Sequence, residues 1–170
     1  IKVTSRSTGS PTVRLRFATV LLLAMACGDG GPAGDMRHAY EKGDFAEAVA
    51  LGRQAVRRGD ASPLVHFYYG VALVAVGRDP EGFAEVDTAL AADAEMSGKA
   101  AALLNELSER EGLSAADSAR RLRKALELDP AIDLGRRQFA VAHTYYQDRN
   151  FERAAALYAG AVSKFPDAPE

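Results

Sequence analysis

The sequence is poor in cysteine and in aromatic residues. It contains one cysteine and no tryptophan among 170 residues, and aromatic residues make up 8% of it. A single cysteine excludes an intrachain disulfide, so the fold must be held by packing alone. The apolar run at residues 17–26 has about ten residues, against the roughly 20 that a bilayer-spanning helix needs.

Motifs for chemistry are also missing. The histidines His38, His66 and His143 are far apart in the sequence and lack the spacing of metal ligands. Gly70 and Gly77 are not part of a phosphate-binding loop, and no G-x-S-x-G nucleophile motif occurs. We therefore expect no catalytic centre, no metal site and no cofactor.

The clearest pattern lies near the end of the chain, at residues 131–166. Phe139, Ala142, Tyr145 and Tyr146 are spaced three to four apart, as on one face of a helix. Residues 148–150 interrupt this face. It resumes on a second helix that Pro166 terminates, with Phe151, Ala154, Ala155, Tyr158, Ala161 and Val162 on its apolar side. The short interruption predicts an antiparallel helical hairpin.

Weaker copies of this hairpin occur upstream. Ala125 and Leu126 precede Ala161 and Val162 by 36 residues, and similar pairs begin at Ala89 and, 34 residues earlier, at Ala55. The turn sequence of residues 149–154 has a counterpart at residues 43–48. A helix–turn–helix recurring near 34 residues is the pattern of tetratricopeptide repeats.

Residues 34–166 thus resemble a four-repeat tetratricopeptide (TPR) domain, most specifically in the last unit and in the segment at residues 124–130. The resemblance implies an all-α fold, a right-handed TPR solenoid of about four antiparallel helical hairpins. The first helices of the units are predicted at residues 36–42, 64–76 and 97–110, and the second helices at residues 45–58, 80–92 and 114–128. The last unit is the hairpin described above.

The N-terminal residues resemble a secretory signal peptide. Arg14 and Arg16 precede the apolar run, and Ala26 and Cys27 follow it. The end of the run is similar to a bacterial lipobox, which implies cleavage before Cys27 and lipidation of its thiol. An ordinary signal peptide, or a buried apolar helix with an incidental cysteine, is the alternative.

These patterns divide the chain into four parts: a signal peptide at 1–26, whose residues 1–12 are of doubtful origin, a flexible tether at 27–34, a TPR domain at 35–166 and a frayed end at 167–170. Cleavage before Cys27 would remove four basic residues and no acidic one, leaving 17 basic against 23 acidic residues, a net charge of −6. Nucleic-acid binding requires clustered positive charge, so we do not expect it.

In TPR proteins the first helix of each hairpin lines a concave groove that binds peptides. Carried over by repeat register, the resemblance implies a partner-binding groove formed by Arg37, Tyr40, Phe67, Val71, Val74, Lys99, Glu106, Glu109, Arg136, Phe139, His143 and Tyr146. Phe67, Phe139 and Tyr146 have core packing as an alternative role. The lysine and asparagine set of chaperone-binding TPR domains is absent.

The function that these features predict is a non-catalytic lipoprotein of the bacterial cell envelope, facing the periplasm, that binds a protein or peptide partner. One alternative is a structural component of an outer-membrane or pilus assembly machine. Another is the regulatory TPR part of a larger protein. The last helix is also expected to have a partly exposed apolar face with Phe151, Ala155 and Tyr158, which a missing C-terminal stretch, a partner or self-association would cover.

Overall fold

A computed structural model of the chain describes residues 31–167. In this part the protein consists of eight α-helices and two short 3₁₀ helices, with no β-strand. The helices are α1 (Pro32–Glu41), α2 (Phe45–Arg57), α3 (Pro63–Ala75), α4 (Asp79–Ala92), α5 (Ser97–Leu107), α6 (Ala115–Leu128), α7 (Gln138–Gln147) and α8 (Phe151–Lys164). The 3₁₀ helices are Ala94–Met96 and Gly135–Arg137. The all-α prediction is confirmed.

The helices pack in consecutive pairs: α1 with α2, α3 with α4, α5 with α6, and α7 with α8. The turn within each pair contains one residue with positive φ, namely Gly43 at 79°, Gly77 at 83°, Gly112 at 77° and Arg149 at 58°. Glycine adopts this conformation without steric cost, whereas Arg149 adopts it at a steric cost from its Cβ atom. In the first, second and fourth hairpins this residue lies two positions after the end of the first helix, whereas in the third hairpin Gly112 lies five positions after it.

Side chains and backbone groups close these turns. The amide of Gly43 donates to Tyr40 O, and the amide of Asp44 donates to Ala39 O at 2.9 Å. The same pair of bonds closes the turns after α3 and α7, and it satisfies carbonyls that a helix end would leave unpaired. The carboxylate of Asp44 then accepts from the amide of Glu47 and caps α2.

Two helix boundaries differ from the predicted ones by more than one residue. Helix α1 begins at Pro32, inside the predicted tether, because a proline fits the first turn of a helix and Gly31 supplies an extended N-cap. Helix α5 ends at Leu107 rather than at Arg110. The hydroxyl of Ser108 donates to the carbonyl of Asn105 at 2.6 Å at this end.

Helix α3 is the centre of the first three hairpins. It contacts α1, α2, α4 and α5, and residues 67–75 are all buried. Glycines allow two of these contacts: a Cβ on Gly52 would lie 2.4 Å from the ring of Tyr69, and one on Gly82 would lie 2.6 Å from Gly70 O. Small residues therefore set the close approach of α2 and α4 to α3.

A buried ion pair connects the second hairpin to the third. Arg121 and Asp79 are each 2% exposed. The Arg121 guanidinium donates to both Asp79 oxygens, at 3.0 Å from Nε and 2.9 Å from the terminal nitrogen. It also donates to Leu107 O and Val74 O, each at 2.8 Å. One side chain thus joins the ends of α3 and α5 to the start of α4.

Candidate functional site

The residues predicted to form one groove occupy several separate environments. Phe67, Val71 and Val74 are 0% exposed. They lie in the core because α1 and α5 pack on either side of α3, and Met36, Ala100 and Leu104 belong to the same apolar clusters. This corrects the expectation that the three residues line a groove.

Arg37 and Lys99 lie at an open cleft of about 350 Å³ near the starts of α1 and α3. The Lys99 ammonium donates to the hydroxyl of Tyr68 at 2.8 Å and lies 5.0 Å from the centre of the Tyr68 ring. Arg37 pairs with Glu41 at 3.8 Å. Both cations are therefore already engaged within the chain.

Tyr40 and Glu106 line a second cleft, of about 410 Å³, at the other end of α1 and α5. Burial, assisted by the Glu106 carboxylate, raises the pKa of Tyr40 to about 12. Phe45 packs edge-on against Tyr40 at 5.1 Å, and the Arg110 guanidinium lies 4.6 Å from the Phe45 ring centre. This cleft is a packed junction between the first and third hairpins.

Glu109 and Arg136 lie at the margins of these features. Glu109 is exposed and pairs with Arg137 at 2.6 Å. Arg136 is exposed in the 3₁₀ helix before α7, with its guanidinium 5.8 Å from the centre of the Phe165 ring. Neither side chain lies in the clefts at Tyr40 or Lys99.

Only the last hairpin brings several predicted groove residues to the surface together. Tyr146 is 56% exposed, so the alternative that it is a core residue is wrong. The centre of the His143 ring lies 6.5 Å from that of Tyr146 in a stacked arrangement, and the centre of the Phe151 ring lies 5.5 Å from it in an edge arrangement. Phe139 is half-buried and packs against Tyr158 at 6.3 Å.

We call the three residues His143, Tyr146 and Phe151 the aromatic row. Little of the surface of their rings is buried inside the protein. His143 and Phe151 are exposed. The ring of His143 also lies 3.0 Å from the amide nitrogen of Gln147. Exposed aromatic side chains of this kind supply large contact areas at protein interfaces. The row is therefore the best-formed binding feature among the predicted residues.

A further cleft, which the sequence did not indicate, lies between α6 and α8. It has a volume of about 510 Å³ and an apolar wall that includes Leu126 and Leu157. The Tyr145 hydroxyl at this cleft contacts Glu127 and Arg153, each at 3.4 Å. This cleft could not be predicted, because leucines at these helical positions are equally expected for core packing.

Within residues 31–167 no group of three or more metal-binding side chains is found. His66 instead pairs with Glu85 at 2.6 Å. The same residues include no helix with the length and apolar character required to cross a bilayer. Cys27 and the segment resembling a signal peptide lie outside the described residues.

No protein-family model matches the chain, and a search of curated proteins finds no match.

Proposed function

We propose that this protein is a non-catalytic interaction module, a TPR-type helical repeat tethered to the bacterial envelope through lipidated Cys27. It captures a protein or peptide partner with the aromatic row of its last hairpin. The single observation that carries the binding proposal is the exposure of Tyr146 in contact with two further aromatic rings.

The repeat assignment is supported by contacts between successive hairpins. Helix α3 contacts α1 and α2 of the preceding hairpin and α5 of the following one, and α6 contacts α7. Turns that contain a residue with positive φ recur at Gly43, Gly77, Gly112 and Arg149. Arrays of this kind bury their core between neighbouring units and use an extended surface for binding.

The chemistry of the aromatic row suggests the kind of partner. Two apolar rings and an imidazole offer contact area for an apolar anchor residue. Arg136, exposed at the start of the same hairpin, offers hydrogen bonds to a carboxylate. A peptide segment with one apolar anchor and one acidic group fits this surface.

The proposal is tested by crosslinking capture from membranes of the native host, comparing the full-length protein with its Tyr146→Ala variant. Because hot-spot truncations weaken binding by roughly 1–2 kcal/mol, capture should fall about 5- to 30-fold in affinity terms. Val76→Ala is the matched control, since Val76 is also an exposed apolar residue, at 41%, but lies at the end of α3.

Helicity measured by circular dichroism separates binding from folding. Tyr146→Ala should leave helicity unchanged, because the side chain is already more than half exposed. Unchanged capture by the variant, or an equal loss with Val76→Ala, contradicts the proposed binding surface.

A further inference from the structure

Helix α8 carries an apolar stripe that residues 31–167 leave mostly uncovered. Within it only Tyr158 is half-buried, against Phe139. The stripe consists of Phe151, Ala155, Tyr158 and Val162, spaced four, three and four apart, which places them on one side of a helix. Phe151 and Val162 are 56% and 54% exposed. Helix α8 packs on α7 along a different side, where Ala154 and Ala161 are buried.

In the earlier hairpins, the positions equivalent to most of this stripe are covered by the rest of the protein. Ala55, Ala89, Ala125 and Ala161 are equivalent, fully or almost fully buried positions of the second helices. Aligning the second helices on these alanines gives the positions equivalent to Ala155, Tyr158 and Val162 in each earlier hairpin. All of these positions are buried or half-buried. They are Val49, Gly52 and Val56 in α2, Phe83, Val86 and Leu90 in α4, and Ala119, Leu122 and Leu126 in α6.

In the third hairpin the cover is the next helix of the chain. Leu122 of α6 packs with Val141 and Tyr145 of α7 in one apolar cluster. The stripe on α8 therefore has the position and composition of a surface that receives a helix, and at α8 that helix is not supplied by residues 31–167.

We propose that the stripe on α8 binds the same stripe of a second copy of this chain, with the two α8 helices antiparallel. The stripe shares Phe151 with the aromatic row, but this inference is argued from the exposed side of α8 and does not rest on the proposed function.

Large and small residues alternate along the stripe, so two copies of it can fit together. A two-fold axis between positions 155 and 158 sets Tyr158 of one copy against Ala155 of the other. The same axis sets Phe151 against Val162 at both ends. A larger side chain thus meets a smaller one at all four contacts, as self-complementary helix packing requires.

The electrostatics of α8 agree with this arrangement. The stripe contains no charged residue, so pairing buries no charge. Antiparallel packing sets the partially positive start of one α8 beside the partially negative end of the other, which favours this orientation over the parallel one. A parallel pair would also place Phe151 against Phe151 and leave the two alanines facing each other.

Disulfide trapping tests both the partner and the orientation. Full-length proteins carrying Cys27→Ser with either Phe151→Cys or Val162→Cys are mixed and oxidised. The mixture should form crosslinked dimers, because these two positions face each other. Each variant alone should not, since identical positions lie about 16 Å apart along an antiparallel helix pair, beyond the reach of a disulfide.

Ala156→Cys mixed with Phe151→Cys is the matched control, because Ala156 is exposed on another side of α8. Efficient crosslinking in this control, or in a single variant, contradicts the antiparallel pair. Absence of crosslinking in the Phe151→Cys and Val162→Cys mixture overturns the proposal.

Sedimentation equilibrium of the Cys27→Ser full chain in density-matched detergent provides a second test. The wild-type stripe should give a monomer–dimer equilibrium, and Val162→Glu should weaken it at least about tenfold because a carboxylate would be buried without a partner. A wild-type chain that stays monomeric overturns the proposal. Capture of the envelope partner should be unchanged by Val162→Glu, so failure of the dimer is distinguishable from failure of the proposed function.

Discussion

Tyr40 has a raised pKa because of its position at the junction of two hairpins. It lies between the first and third hairpins, against Phe45 and near the Glu106 carboxylate. Burial is the main cause that raises its pKa to about 12, because a phenolate would lose its hydration there. The neutral phenol is therefore the form that the folded protein favours.

This shift predicts an alkaline loss of stability. The unfolded chain ionises Tyr40 near its ordinary pKa of about 10, and the folded chain does so near about 12. Stability from this residue is fully present below about pH 10 and declines as the pH rises to about 12, because the unfolded state releases its proton first. In thermal melts across this pH range, the melting temperature of Tyr40→Phe should fall less than that of the wild type.

Tyr146→Phe is the matched control for this measurement, because it changes an exposed tyrosine. The control should keep the wild-type decline. An identical decline in Tyr40→Phe and in the wild type would show that Tyr40 is not the group responsible.

At the level of single residues, the sequence predicted helix faces but not exposure. Phe67 and Tyr146 were both assigned to a groove because each lies on the first helix of its hairpin. Phe67 is fully buried because other helices flank α3 on several sides, whereas Tyr146 lies on the last hairpin and is 56% exposed. Exposure depends on how neighbouring units pack, which repeat register alone does not determine.

Among the helices and turns, the sequence was more informative. Positions of Gly, Pro, Ser and Asp indicated the turns, because these residues have specific backbone and capping roles. Of the six helices for which both ends were predicted, α2, α3, α4 and α6 begin and end within one residue of the prediction, whereas α1 begins four residues earlier and α5 ends three residues earlier. The two 3₁₀ helices were missed because such short segments carry no periodic pattern.

The ion pair between Arg121 and Asp79 was also missed, because the two residues are 42 positions apart and look like ordinary surface charges. In the structure both are buried, and the guanidinium joins α6 to α4 and to the ends of α3 and α5. Removing the carboxylate alone would leave a buried cation without its counterion. Such a loss typically costs about 3–5 kcal/mol.

We therefore expect Asp79→Ala to lower the free energy of unfolding by that amount, measured by urea denaturation followed by circular dichroism. The double variant Asp79→Leu with Arg121→Met should be more stable than Asp79→Ala, because it removes the unpaired charge as well as the pair. Asp117→Ala is the control, since its carboxylate pairs with Arg120 near the surface. Additive losses in the double variant would show that the two charges are not coupled.

For the whole molecule, the proposed N-terminal anchor would determine where binding takes place. If Cys27 is lipidated, the described residues begin only a few positions after the membrane attachment point, at Gly31. A short connection of this kind keeps the helical array close to the membrane surface. The aromatic row would then meet its partner at that surface.

The anchor predicts a change in localisation for Cys27→Ser. The wild-type protein should sediment with the membranes of its host, and the variant should be recovered uncleaved or as free protein. Mass spectrometry of the wild type should show diacylglycerol on Cys27. An unmodified Cys27 in protein from the native host would contradict the anchor.

The central claim is that the protein acts by binding a partner through the aromatic row. The most direct measurement is photo-crosslinking in the native host, with a photoreactive amino acid placed at position 146 or, as the control, at position 76. We expect a discrete crosslinked adduct from position 146 that the control does not give. No adduct from position 146, or the same adducts from both positions, would contradict the claim.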